Sequence, residues 1–195
     1  MSKAQFINLS GWAFILGGFS FATILTGSDL LAIPGSEISA ILLAVGLLGL
    51  RARYGEHVGG FSRNILLLGA SGPFLLVIVI AMGLSGILTE TQITKGLWIL
   101  LFGGPAITLL GLTLFGLSAL GSRPMAHLNW LPLIAGIWYP IFYFFLAGYL
   151  FAHNGVYPGQ HQIPFNIMLL IQFLALCVFG ASLVSNTSQE MAAAS

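Results

Sequence analysis

The sequence predicts an all-α fold, a compact bundle of six transmembrane helices, on three observations. Of 195 residues, 57% are hydrophobic and only 6% are charged, where an ordinary soluble domain carries roughly a quarter. The mean hydropathy is +0.99. The apolar residues gather in six stretches close to the length of about 20 residues that carries a helix across roughly 30 Å of hydrocarbon. Short segments rich in Gly, Pro and polar residues separate them. A soluble sphere of this size could not cover its surface with so few charges, nor stay dispersed at a formal net charge of +1. A disordered chain is excluded, and so is a nucleic-acid binder, which needs a basic face.

In chain order the expected spans are Ile7–Thr26, Ser36–Arg51, Asn64–Leu88, Gly96–Leu120, Leu128–Ala152 and Ile163–Val184. The second is the shortest, its uncharged run reaching only from Ile38 to Leu50. Snorkelling of Arg51 and Arg53, with Tyr54, extends it to the headgroups. Loops are expected at Gly27-Ser28-Asp29, Pro34-Gly35, Tyr54-Gly55, Gly121 to Pro124 and His153 to Pro164. Residues 1–188 therefore read as a single transmembrane domain. The segment 189–195 reads as a short, disordered polar tail.

Six crossings place both termini on one side, together with Lys3, Arg51, Arg53, Arg63 and Arg123, and leave Lys95 on the other. The excess of basic residues makes that side cytoplasmic, in a prokaryotic inner or plasma membrane. Lys3 followed by an apolar run imitates a signal peptide. Gly18, Ala22 and Thr26 instead give this segment the small-residue face of a retained packing helix.

Two internal repeats compete. Leu47-Leu48-Gly49, Leu114-Phe115-Gly116 and Val178-Phe179-Gly180 suggest three parallel hairpins, the preferred reading. Trp12 before Gly17-Gly18 and Trp98 before Gly103-Gly104 suggest two inverted halves, an arrangement common in transporters.

Candidate binding residues follow from broken helices and buried polarity. Ser71-Gly72-Pro73 and Gly103-Gly104-Pro105 sit near the middles of spans 3 and 4, and Pro140 near the middle of span 5. Proline removes an amide donor, so carbonyls are freed near the bilayer midplane, where they can bind an ion or polar solute. They can equally serve only to shape packing. Gln172 is the large amide deep in span 6; it could touch a substrate or bond a neighbouring helix. Span 5 carries the aromatic stripe Trp138, Phe142, Phe145 and Tyr149. Beside it Tyr139 and Tyr143 have hydroxyls that need partners if buried. Every formal charge is expected at or outside a helix end, Glu37 and Arg51 coming closest to the membrane. That placement argues against proton relays and ion pumps.

No metal site, cofactor or catalytic residue is expected. The single cysteine, Cys177, has no partner. His57 and His127 fall on one side and His153 and His161 on the other, all at headgroup level. Gly69-Ala70-Ser71-Gly72 and Gly83-Leu84-Ser85-Gly86 resemble the Gly-x-Ser-Gly element of rhomboid proteases, which are six-helix proteins with a partner histidine. Here both serines lie in the third span and His153 follows the fifth, which departs from that family's order. The expected function is thus a non-enzymatic membrane subunit or assembly component. Its partners would be the lipid bilayer and a membrane protein or a second copy of the chain, with no nucleic acid. The alternative is a facilitator for a small neutral or hydrophobic solute at the kinks of spans 3 and 4.

Overall fold

The computed structural model describes residues 1–26, 29–86, 90–125, 128–152 and 163–193. Every regular element among them is helical: α1 (Lys3–Ala22), a 3-10 turn (Thr23–Thr26), α2 (Asp29–Tyr54), α3 (Gly59–Ala70), α4 (Phe74–Leu84), α5 (Glu90–Ser122), α6 (Leu131–Ala152) and α7 (Ile163–Ala193). Three stretches are long and apolar enough to cross a membrane. They are Pro34–Tyr54, Gly103–Ser122 and Ile167–Asn186, with mean hydropathies of 1.5, 1.6 and 2.5. This is a membrane protein built as a helical bundle. α1 has the length of a span, but Lys3, Gln5, Asn8 and Ser10 dilute its apolar character. The third expected span is divided between α3 and α4.

Local chemistry sets the helix ends. A capping box opens α1: Gln5 donates its backbone N–H to the Ser2 hydroxyl (3.2 Å), and Ser2 donates its own to Gln5 Oε1 (2.8 Å). Arg51 and Arg53 occupy the last turn of α2, where cations complement the helix dipole. α3 starts at Gly59, whose φ of +79° suits glycine. Asn129 Oδ1 accepts the Met125 N–H (2.9 Å) in the turn before α6.

Two boundaries differ from the sequence expectation. Pro34-Gly35 is no loop. α2 begins at Asp29 and carries Pro34 as its sixth residue, with no N–H to offer the Leu30 carbonyl. Residues 189–193 of the expected tail are helical, since α7 continues to Ala193 through the good helix formers Glu190, Met191, Ala192 and Ala193.

The helices pack in chain order. α1 lies on α2, α2 on α3, both α3 and α4 on α5, α5 on α6 and α6 on α7, and α7 returns to α1 to close the ring; α2 also reaches across to α5. Phe14, Phe21, Leu43, Leu47, Leu109, Leu112, Phe115, Tyr139, Leu176 and Phe179 fill the core. Leu9, Trp12, Leu16 and Phe19 of α1 and Leu170, Leu174 and Val178 of α7 point outward, as lipid-facing residues do.

Close seams depend on glycine. A Cβ on Gly11 would come within 2.9 Å of the Gly180 carbonyl, and one on Gly69 within 2.9 Å of the Gly111 Cα. The glycines proposed as parallel repeats have unlike partners: Gly49 meets Ser10, Gly116 meets Leu133 and Gly180 meets Gly11. The inverted pair matches only in part, because Gly103 lies as close to Leu75 of the preceding helix as to Tyr143. Gly17 faces the following helix at Leu43 and Gly18 the last at Leu176, while Gly103 faces the following helix at Tyr143 and Gly104 the preceding one at Gly72.

Candidate functional site

The break between α3 and α4 is a tight turn in which several backbone groups find local partners. Ser71 and Gly72 donate their N–H groups back to Leu67 and Gly69, and Phe74 and Leu75 donate to Ser71 and Gly72. Pro73 has no N–H for the Gly69 carbonyl, and Gly72 supplies one at 3.1 Å instead. The Ser71 hydroxyl donates to the Leu68 carbonyl at 2.6 Å.

Gly72 lies directly against α5. A side chain there would overlap the Gly104 carbonyl and the Thr108 hydroxyl, and a Cβ on Gly104 would sit 3.0 Å from the Gly72 oxygen. The Thr108 hydroxyl donates to the Gly104 carbonyl at 3.0 Å. The two Gly-Pro elements therefore face each other, with backbone touching backbone at these glycines. Pro105 stays within the continuous helix α5, and Pro140 within α6.

Tyr139, Tyr143 and Gln172 gather beside this seam. The Tyr143 hydroxyl stands next to Gly103, 3.3 Å from where its Cβ would lie. Tyr139, fully buried one turn away, meets the Phe21 ring edge-on at 4.8 Å between centroids. Its backbone N–H donates to Gln172 Oε1 at 2.9 Å, so Gln172 ties α7 to α6. Gln172 Nε2 is buried with no partner, as is Trp138 Nε1. The side chains of Phe142, Phe145 and Tyr149 lie outside the described residues, as do His127, His153 and His161.

One expectation is overturned. With α2 starting at Asp29, Glu37 lies two turns inside the helix, about 12 Å from its start. It is 9% exposed, and its Oε1 has no hydrogen-bond partner. The hydroxyls of Ser36 and Ser39, also buried, are likewise unpartnered. A formal charge therefore does enter the bundle. The signal was the apolar run Leu30-Leu31-Ala32-Ile33 before Pro34, hidden once Pro34-Gly35 is read as a loop. Two more polar pairs carry no motif: Thr108 with Gly104, and Ser62 with Ser118 across α3 and α5.

Among the described residues no three His, Cys, Asp or Glu side chains converge as metal ligands. The serines of the two Gly-x-Ser-Gly elements both bond to their own helices, Ser71 as above and Ser85 to the Met82 carbonyl at 3.0 Å. Neither hydroxyl is held by a base in these contacts. Two of the site's bonds cross between helices, Ser62 with Ser118 from α3 to α5 and the Tyr139 amide with Gln172 Oε1 from α6 to α7; the Ser71 and Thr108 hydroxyls bond locally. No protein-family model, characterised protein or solved structure matches the chain.

Proposed function

We propose that the chain crosses the bilayer six times with both termini cytoplasmic, and that it acts without catalysis, as a membrane subunit or assembly component. Parity supports the six crossings. Lys3, Arg53 and Pro124 line one cavity and so share one end of the bundle. The chain must cross an even number of times between each pair. With α2 and α5 as apolar spans, α1 and the broken α3–α4 supply the matching crossings. α7 runs antiparallel to α1, Val184 lying against Gly11 and Leu176 against Gly18. That arrangement brings α7 back to the same end, which supports a crossing by α6. The basic residues at this end make it the cytoplasmic one.

The observation that carries the subunit reading is the Gly72–Gly104 contact. The turn between α3 and α4 and the Gly104 position of α5 close on each other backbone to backbone, which is how membrane helices are locked together. Purification from the native membrane in mild detergent, with mass spectrometry, tests it. A second membrane protein in fixed stoichiometry, or a defined oligomer of the chain, is expected. A single chain that conducts a neutral solute when reconstituted overturns it.

The facilitator is the second reading, and one observation favours it: the buried, unpartnered Nε2 of Gln172 could serve a polar solute. If so, Gln172→Leu abolishes flux in vesicles. Under the subunit reading Gln172→Leu alters stability by less than about 1 kcal/mol, because an interhelical hydrogen bond in a membrane averages about 0.6 kcal/mol and an orphan donor is removed with it.

A further inference from the structure

Two core-facing stripes carry polar residues at the depth of Phe21. On α2 the stripe runs Ser36, Ser39, Leu43, Leu47, at helical spacing. Leu43 and Leu47 belong to the hydrophobic core, so the two serines face it too, and they are 1% and 0% exposed. On α7 the stripe runs Leu169, Gln172, Leu176, Phe179, all but Gln172 in that same core, and Gln172 is 0% exposed. α1 sets the depth of both stripes. Gly17 lies against Leu43 and Gly35 against Thr23, so Ser36 and Ser39 fall opposite the segment from Gly17 to Thr23. Leu176 lies against Gly18 on the antiparallel α7, so Gln172, one turn earlier, falls opposite the same segment. Tyr139, whose N–H Gln172 Oε1 accepts, meets the Phe21 ring at this depth.

On these two stripes three polar atoms have no hydrogen-bond partner: the hydroxyl oxygens of Ser36 and Ser39, and Gln172 Nε2. Buried polar groups are hydrogen-bonded to protein or to a guest. Serine also stands at two successive positions of a stripe that continues as leucine, and takes up less of the core than leucine would. Glu37 and Trp138 have unpartnered atoms as well, but each starts from another face of its helix, about 100° round from Ser36 and Tyr139. The three core-facing groups are therefore uncharged. We propose that they bind a small uncharged hydroxylic molecule, water or a short polyol, within the core beside Phe21. A hydroxyl accepts from Gln172 Nε2, which can only donate, and either donates to or accepts from the serines, which do both. Internal water satisfies unpaired groups in this way, and a short polyol presents the same groups on a carbon chain that an aromatic ring covers. The site goes beyond both readings above, because it concerns occupancy of the core and not assembly or passage.

The test is nuclear Overhauser transfer from guest protons to the Gln172 side-chain amide, in the isotope-labelled full chain in detergent. The Gln172→Leu spectrum identifies that amide by its loss. In polyol-free buffer a long-lived water is expected to give a cross-peak at the Nε2 protons. Added glycerol then separates the sources: replacement of that cross-peak by one from glycerol assigns the site to a polyol, and an unchanged water cross-peak assigns it to water. The double variant Ser36→Ala, Ser39→Ala should lose the guest cross-peak, because the guest loses two of its three partners. If that variant fails to fold, Ser39→Ala alone carries the test, with guest binding about fivefold weaker. A folded wild type with no cross-peak from water or glycerol has a dry core, which overturns the proposal. An undiminished cross-peak in a folded serine variant would leave the guest to Gln172 alone and overturn the shared site.

Discussion

Glu37 shows how one residue can be misread from sequence and still be interpreted once its surroundings are known. Roughly 21 Å of helix separates it from Arg51, too far for the two charges to pair. A carboxyl buried in a membrane bundle with one oxygen unpartnered carries a desolvation cost. An isolated, purely structural Glu37 would therefore be better as a hydrocarbon. Glu37→Leu is expected to stabilise the protein by about 1–2 kcal/mol, measured as reversible unfolding in detergent or lipid. A loss of stability of that size would instead reveal a bound cation or a donor that satisfies Oε1. The gain would have a second meaning if activity or partner assembly fell as stability rose: the carboxyl is kept for use. Nothing in the local sequence distinguishes these outcomes. Burial is a property of the neighbours α2 meets, and only the boundary error at Pro34 concealed it. Gln172 was easier to read, because a lone amide in an apolar run must bond something, and here it bonds the Tyr139 amide.

At the level of elements, α5 offers an internal comparison between a glycine that is used and one that is not. Gly104 meets Gly72 across the seam, while Gly121, near the other end of the same helix, has open space where a Cβ would lie. Gly72→Ala is expected to cost about 2–3 kcal/mol by overpacking against the Gly104 carbonyl and Thr108. Gly121→Ala should change stability by less than about 0.5 kcal/mol. Thermal melts of both variants in one detergent check the pair, and equal effects would refute a close-packed seam. Gly104→Leu should likewise fail through misfolding, so a folded Gly104→Leu protein would contradict the contact. The break between α3 and α4 was legible in Ser71-Gly72-Pro73, but Gly104-Pro105 and Pro140 leave α5 and α6 continuous. The partner of Gly72 was not legible. Periodicity assigns a residue to a face of its own helix, whereas the meeting of Gly72 with Gly104 depends on the register between two helices. The same limit applies to the repeats. Short glycine matches in a chain with 25 glycines decide little, and the partners of these glycines depend on contacts between helices that no single run encodes.

For the whole molecule, topology reduces to parity, and parity can be tested at three points. Three crossings, by α2, α5 and α7 alone, would put the two termini on opposite sides of the membrane. Six put them on the same side and place the α4–α5 connection across from both. The α3–α4 pair decides the parity: neither half could span alone, and were the pair not to cross, Arg53 and Pro124 would lie on opposite faces instead of lining one cavity. Cys177 is the sole cysteine, so a Cys177→Ser background accepts single reporters. In that background Ser2→Cys and Glu56→Cys should resist a membrane-impermeant maleimide in intact cells and react in inverted vesicles. Ser85→Cys, exposed just after α4, should do the reverse. Labelling of Ser85→Cys from the same side as Glu56→Cys would mean that α3–α4 folds back without crossing. That outcome would end the six-span reading and, with it, the assignment of Lys3, Arg53 and Pro124 to one membrane face.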